Sequence, residues 1–377
     1  MGPRHREYDH VVVGAGGMGT SITYYLSNAP GHTLVLERFF ENHTRGSSHG
    51  RTRILRTAYA EGPVYVPLVL RARGLWERLG HDVGQRIFDP TGVLLAGGAG
   101  SSELASARKS AQAYGLPHEW LDGAGARQRF PAFRFESGDA ALWDPGGGVL
   151  FPERAIGAFR QEAHRRGTRF QWNSPVVRWA PRADGRILVS TGRREYLTNW
   201  LILSAGAWLP SLVAGLKLPL TVEQQSVYWF RAAGRGRRPY QAMPAFVWYS
   251  SRGTYFYGTP DFGDGVKVGG SRGQRVRAPD RRPPSSSREF RSVQRFSQDR
   301  LPGLPSKPAR QTRCLYTNTP DRNFIIDFHP DNPRVILVSA CSGHGFKFAS
   351  AVGELVAETV TTGHLPPLLH PFRLPSR

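Results

Sequence analysis

Two cysteines, five lysines and one glycine-rich turn supply residue types in this 377-residue chain that could do chemistry. Cys314 stands in RCLYTNTPDRNFIID, residues 313–327. A thiol is a nucleophile once ionised, yet it also fills a core as a small apolar group, and residue type alone does not choose. The lysines are Lys109, Lys217, Lys267, Lys307 and Lys347, set against 45 arginines. Where a chain otherwise carries its positive charge as arginine, a retained lysine suggests a place that requires a compact ammonium.

The turn is GAGGMG, Gly14 to Gly19. Gly14 permits a tight turn, Gly16 lets the backbone approach a pyrophosphate, and Gly19 lets helix and strand pack closely. The phosphate charge would sit at the helix N-terminus, beside Met18. Glu37 follows Gly14 by 23 residues and ends the second apolar run. A carboxylate there hydrogen-bonds ribose hydroxyls and repels a 2′-phosphate, which points to FAD or NAD rather than NADP. The glycine motif does not choose between those two.

These residues need elements to hold them. Val11–Val13 reads as a buried strand, and Met18, Ile22, Tyr25 and Ala29 mark one side of a helix that Pro30-Gly31 would end. Residues 33–36 form the next strand, completing a βαβ opening. Helices are predicted over 64–79, 102–114, 154–166 and 345–362, with another from about Ser286. Strands are predicted over 92–98, around Val176, over 187–190 and 200–204, and in FIIDF and VILVSA. The stretch 221–268 alternates β-branched and aromatic residues and reads as antiparallel sheet. The expected fold combines α/β and α+β character. A discontinuous dinucleotide-binding domain (1–85, 146–220 and 321–377) accompanies a β-rich substrate domain (86–145 and 221–320).

The bulk composition narrows the function classes. The formal charge is +21, spread as arginine along the whole chain without a helix-turn-helix, zinc-ligand or RNP pattern, so a nucleic-acid partner is not expected. No apolar run reaches 18 residues, the opening MGPRHREYDH lacks the apolar stretch of a leader, and the final LPSR is not a peroxisomal signal. Two cysteines exclude a disulfide framework and suit a reducing, cytoplasmic setting.

Residues 43–59, HTRGSSHGRTRILRTAY, with EGPVYVPL, GVLF, DGVKVGG, CLYT, FIIDFHP and SGHGFKF in order along the chain, closely resemble the family of monomeric sarcosine oxidase and N-methyltryptophan oxidase. The resemblance implies a two-domain, FAD-dependent amine oxidase acting on a secondary amino acid and on oxygen, as a monomer. Imine and hydrogen peroxide would be the products, the imine hydrolysing to formaldehyde and a primary amino acid when an N-methyl carbon is oxidised. Cys314 matches the family's covalent flavin anchor, while Cys341 matches nothing and reads as core. Lys347 and Arg56 match the pair that grips the substrate carboxylate. Lys267 matches the lysine that promotes reaction with oxygen. His49 and Arg53 match residues lying against the flavin, with Arg53 stabilising negative charge there. Gly343 and His344 fall in the active-site loop and helix start, where backbone N–H groups would meet flavin oxygens. Tyr257 and Tyr316 match pocket aromatics. Ser271 departs from the histidine that sarcosine-oxidising members carry, and Trp248, Tyr249 and Tyr255 are candidates for a bulkier pocket. Oxidation of a cyclic imino acid such as pipecolate or proline, or a biosynthetic tailoring oxidation, is the neighbouring reading. A nucleic-acid-binding protein on a dinucleotide fold is the reading from another class.

Overall fold

Strand Arg6–Val13 sits inside an eight-stranded sheet because its last four residues are buried on both faces. Thr33–Leu36 and Glu195–Leu203 pair with it in parallel, one on each side. Asn332–Ser339 and Arg169–Gln171 extend the parallel order. Helices Gly17–Leu26, Val66–Asp82, Pro152–Arg165 and Ala349–Thr362 cover one face, sharing a core built around Trp76, Phe159 and Phe348. The structure is a computed structural model that describes residues 6–250 and 253–374. The residues at the two termini that bear on the leader and targeting readings fall partly outside that range, as do Ser251 and Arg252 in the β-rich stretch. Among the described residues no helix is long and apolar enough to cross a membrane.

A nine-stranded sheet forms the second layer, containing Thr221–Phe230, Ala245–Tyr249, Tyr255–Thr259, Val266–Gly270 and Arg310–Asn318. Helix Ser287–Arg300 closes its far face, over Phe246, Val268 and Trp248. The near face, carrying every second side chain, turns toward the first sheet. A small sheet of Arg53–Leu55, Gly148–Leu150 and Phe88–Asp89 joins the layers.

Several expectations change. The first helix ends at Leu26, not near Ala29, because Asn28 and Ala29 donate to carbonyls three residues back and tighten the last turn. No strand forms at Val176: Pro175 lacks an N–H and Asn173 is left-handed, so pairing starts at Arg178. The strands within 221–268 pair antiparallel as expected, but the wider sheet includes one parallel pair, Ala245–Tyr249 beside Val93–Gly98. A parallel pair needs a long crossover, here supplied by the chain between residues 98 and 245. Short helices also interrupt it, over Gly234–Arg237 and Arg238–Ala242.

Candidate active site

A cavity of about 400 Å³ lies between the two layers. Of the fifteen residues to which the sequence or the resemblance gives a cofactor, substrate or catalytic role, all but Gly19 line it. Gly19 acts one layer behind: a Cβ there would meet the Gly14 carbonyl oxygen at 1.8 Å, so only glycine lets the helix sit on the turn. Gly14 has φ +102°, and its own Cβ would press on the Ser204 carbonyl at 2.7 Å. At Gly16, by contrast, a Cβ would only touch Ser48 Oγ at 3.4 Å, and the residue caps the helix without a side-chain bond of its own. The Gly17 N–H of the first turn is given to Ser48 Oγ (3.0 Å), and the positive dipole end of the helix is turned to the cavity. Met18 lines the same end. Glu37 accepts from Ala15 N (2.7 Å) and Phe39 N (3.0 Å), with His43 3.3 Å away. Burial alone would raise this carboxyl, but those donors hold it below its ordinary value.

The middle of the cavity is organised by a turn. Gly50 and Arg51 both have positive φ, and the Glu153 carboxylate, at the head of a helix, accepts both their N–H groups at 2.8 and 2.9 Å. Arg53 folds back and donates to the carbonyls of Ser47, His49 and Thr52. Lys267, only 3% exposed, donates to Gly50 O (2.9 Å) and Thr52 O (2.7 Å). Burial, with Arg53 nearby, brings its ammonium down to about 7. His49 is held near 4 by burial and by Arg53, so it is neutral at neutral pH, and its buried Nε2 has no partner. The Cys314 Sγ points to Gln225 O at 3.8 Å across the neighbouring strand. Burial pushes this thiol up, and the charges of Arg53 and Lys267 pull against that.

The far end holds Arg56 and Lys347. Arg56, 7% exposed, pairs with Glu61 through one guanidinium nitrogen, Nη2, which donates to both carboxylate oxygens, and it lies over the Tyr59 ring. Burial would raise the Glu61 carboxyl, but the Arg56 charge outweighs it and holds Glu61 at about 2. Lys347 donates to His344 O (2.6 Å) and the Tyr59 hydroxyl (3.3 Å). Burial and the Arg56 charge drive its ammonium well below the ordinary lysine value. Tyr257 and Tyr316 meet hydroxyl to hydroxyl at 3.2 Å. Gly343 has φ +81°, and a Cβ there would strike the Tyr316 ring.

Some details correct the sequence reading. The His344 N–H is already given to Cys341 O (2.9 Å), so it is not free to meet a ligand oxygen; its ring instead joins Tyr59 to Arg322. Cys341 lines the cavity, half-buried, its sulfur accepting from Thr317 N. Trp248 points away, into the far core beside Phe135, while its neighbour Tyr249 lines the cavity, as strand alternation requires. Ser271 ties strand ends together, accepting from Tyr255 N, and does not line the cavity. Tyr59, Glu61 and Glu153 were missed. Tyr59 and Glu61 lie three and five residues after Arg56, and an acid so near a basic block was the available signal.

The FAD dependent oxidoreductase (DAO) pattern matches residues 9–359. The chain is 36% identical to monomeric sarcosine oxidase of Streptomyces avermitilis, covering 97% of this chain and 98% of that one. It is 34% identical to N-methyl-L-tryptophan oxidase of Yersinia pestis, over 93% and 94%. Among solved structures, NikD, an unusual amino acid oxidase essential for nikkomycin biosynthesis, superposes with a TM-score of 0.86 at 22% identity, over 98% and 97%.

Proposed function

Because this chain belongs to the FAD dependent oxidoreductase family, we propose that it is an FAD-dependent oxidase of a secondary, N-methyl amino acid. It makes an imine, which hydrolyses to formaldehyde and a primary amino acid, together with hydrogen peroxide. One observation carries the reading: a two-cation grip, Arg56 and Lys347, shares one cavity with a buried ammonium, Lys267, and a glycine turn suited to a dinucleotide. The division into a cofactor half (1–85, 146–220 and 321–377) and a substrate half (86–145 and 221–320) is supported by the membership of the two large sheets.

The residues present suit FAD. The helix N-terminus lines the cavity with only its Gly17 N–H given to a side chain, Ser48 Oγ, no side chain projects from Gly16, and the His49 Nε2 is a buried polar atom lacking a partner. The glycine turn, Met18 and Glu37 would hold the dinucleotide end; His49, Arg53 and Gly343 would hold the ring end. When bound, FAD supplies the two-electron acceptor for the amine C–H bond and passes those electrons to oxygen.

The remaining work belongs to the chain. Arg56 and Lys347 take the substrate carboxylate and so orient the C–H bond next to nitrogen. Tyr59 keeps the two cations together, and Tyr257 and Tyr316 wall the reacting carbon. Arg53, anchored by three carbonyls, presents fixed positive charge, and Lys267 does so on the oxygen side. Arg56 reaches the substrate by exchanging one carboxylate, that of Glu61, for another. Glu61→Gln should therefore tighten binding of carboxylate ligands about three- to tenfold, since the competing charge is gone. Titrating the visible spectrum with a non-oxidisable carboxylic acid measures this.

Cys314 would hold FAD through a thioether to the 8-methyl carbon of the isoalloxazine. Forming that bond would remove one hydrogen from the thiol and one from the methyl, with oxygen as the two-electron acceptor. Its position in the cavity wall, within the field of Arg53 and Lys267, supports this role. Acid-denatured wild-type protein should keep its yellow colour on the polypeptide, and Cys314→Ala should release it into the supernatant.

The experiment that tests the whole reading is peroxide release with sarcosine, N-methyltryptophan, pipecolate and proline. The expected result is turnover of at least one N-methyl amino acid. Turnover of the cyclic imino acids alone moves the substrate class, and a yellow protein inert toward all four overturns the reading.

A further inference from the structure

We propose that Trp229 is a positioning residue for the oxygen step: its indole holds the Lys267 ammonium in place and in its charged form. The proposal rests on the role given to Lys267 above. Three neighbouring strands arrange the groups. Trp229 lies on Thr221–Phe230, with Lys267 directly across on one side and Arg310 directly across on the other. Cross-strand partners share a face of the sheet. The Lys267 Nζ stands 5.7 Å from the indole centroid, and the Arg310 Cζ 5.2 Å. Trp229 and Lys267 are buried, while Arg310 is exposed at the start of its strand. The row therefore runs from solvent to the cavity wall.

A buried ammonium has lost its hydration shell, and something must replace it. Two of the three Nζ protons are given to Gly50 O and Thr52 O. The negative face of an indole attracts the charge without demanding a directed hydrogen bond. The third N–H is thereby left for the cavity. Among the other charged or titratable groups around Lys267, Arg53 disfavours the ammonium and His49 is neutral, while Cys314 and the Glu153 carboxylate favour it; the bonds at Nζ go only to Gly50 O and Thr52 O.

The test reads the lysine directly. The chain has five lysines, so selective ¹³Cε labelling of the holoenzyme gives few signals, and Lys267→Met identifies the one from Lys267. Trp229→Leu should lower the Lys267 titration midpoint by about one pH unit, and Trp229→Phe by about half as much. The second-order rate with oxygen at pH 8 should fall about three- to tenfold, its pH profile displaced by the same interval, while reduction by substrate stays within about twofold. An unshifted midpoint and pH profile in flavin-loaded Trp229→Leu overturn the proposal. If that variant does not fold, Trp229→Phe is read instead, and no shift there overturns it equally. Wild-type reoxidation in Lys267→Met would sink the role of Lys267 itself, whatever the midpoint in the Trp229 variants.

Discussion

Lys267→Met should slow reaction with oxygen by about 10²–10³-fold, or ~3–4 kcal/mol of barrier, the scale of removing one preorganised charge from a dry site. Reduction by substrate under anaerobic conditions should change no more than about threefold, because Arg56 and Lys347, the proposed carboxylate grip, bond to Glu61, Tyr59 and His344 and not to Lys267. The pH dependence follows from the burial of this ammonium. Its value of about 7 means that Lys267 is charged below that pH and neutral above it. The oxidative half-reaction should therefore fall as pH rises through about 7, and any negative charge held in the cavity moves that midpoint upward. In Lys267→Met this limb of the profile should vanish. Stopped-flow mixing of the reduced enzyme with oxygen across pH 6–9 measures both effects. Equal slowing of the two half-reactions would remove Lys267 from the oxygen step.

Arg56→Ala should lower kcat/KM for an amino-acid substrate by about 10²–10⁴-fold, equivalent to ~3–5 kcal/mol. Two effects add up to that size. The substrate carboxylate loses a bidentate partner, and Glu61 is left as an uncompensated carboxylate at the rim, about 35% exposed. Lys347→Met should cost a similar or smaller amount. The double variant should cost less than the two single losses combined, since both side chains act on one carboxylate and share Tyr59. An amine substrate lacking the carboxylate separates this from general damage. It should be oxidised poorly by the wild type and no worse by Arg56→Ala. Arg56→Lys should not rescue fully, because an ammonium cannot reproduce the fork. Steady-state kinetics on the paired substrates decides. Loss of activity toward both would make Arg56 structural.

Local sequence was sufficient for much of the site. The glycine turn, Glu37 and the flanking strands obey short-range rules of φ, N–H direction and packing, so their positions could be read from spacing alone. The resemblance then placed Cys314, Lys267, Arg56 and Lys347, and the fold brings them to one cavity from four separate stretches of the chain. Partners depend on three dimensions. Nothing at residue 153 announces that its carboxylate holds a turn 102 and 103 residues earlier. Nor does residue 229 reveal that it lies between Lys267 and Arg310, because that follows from strand register. The same holds for the direction of Trp248: aromatic composition named it with Tyr249, and only the pleat of the sheet separated core from cavity. Parallel pairing of Ala245–Tyr249 with Val93–Gly98 was likewise hidden, since a contact between segments about 150 residues apart leaves no local pattern. By itself the sequence determined which residues could hold a dinucleotide and which charges were retained. Tertiary structure decided which of those charges are buried, which are already paired, and so which are free to act, because desolvation and hydrogen-bond partnership are properties of the packed chain.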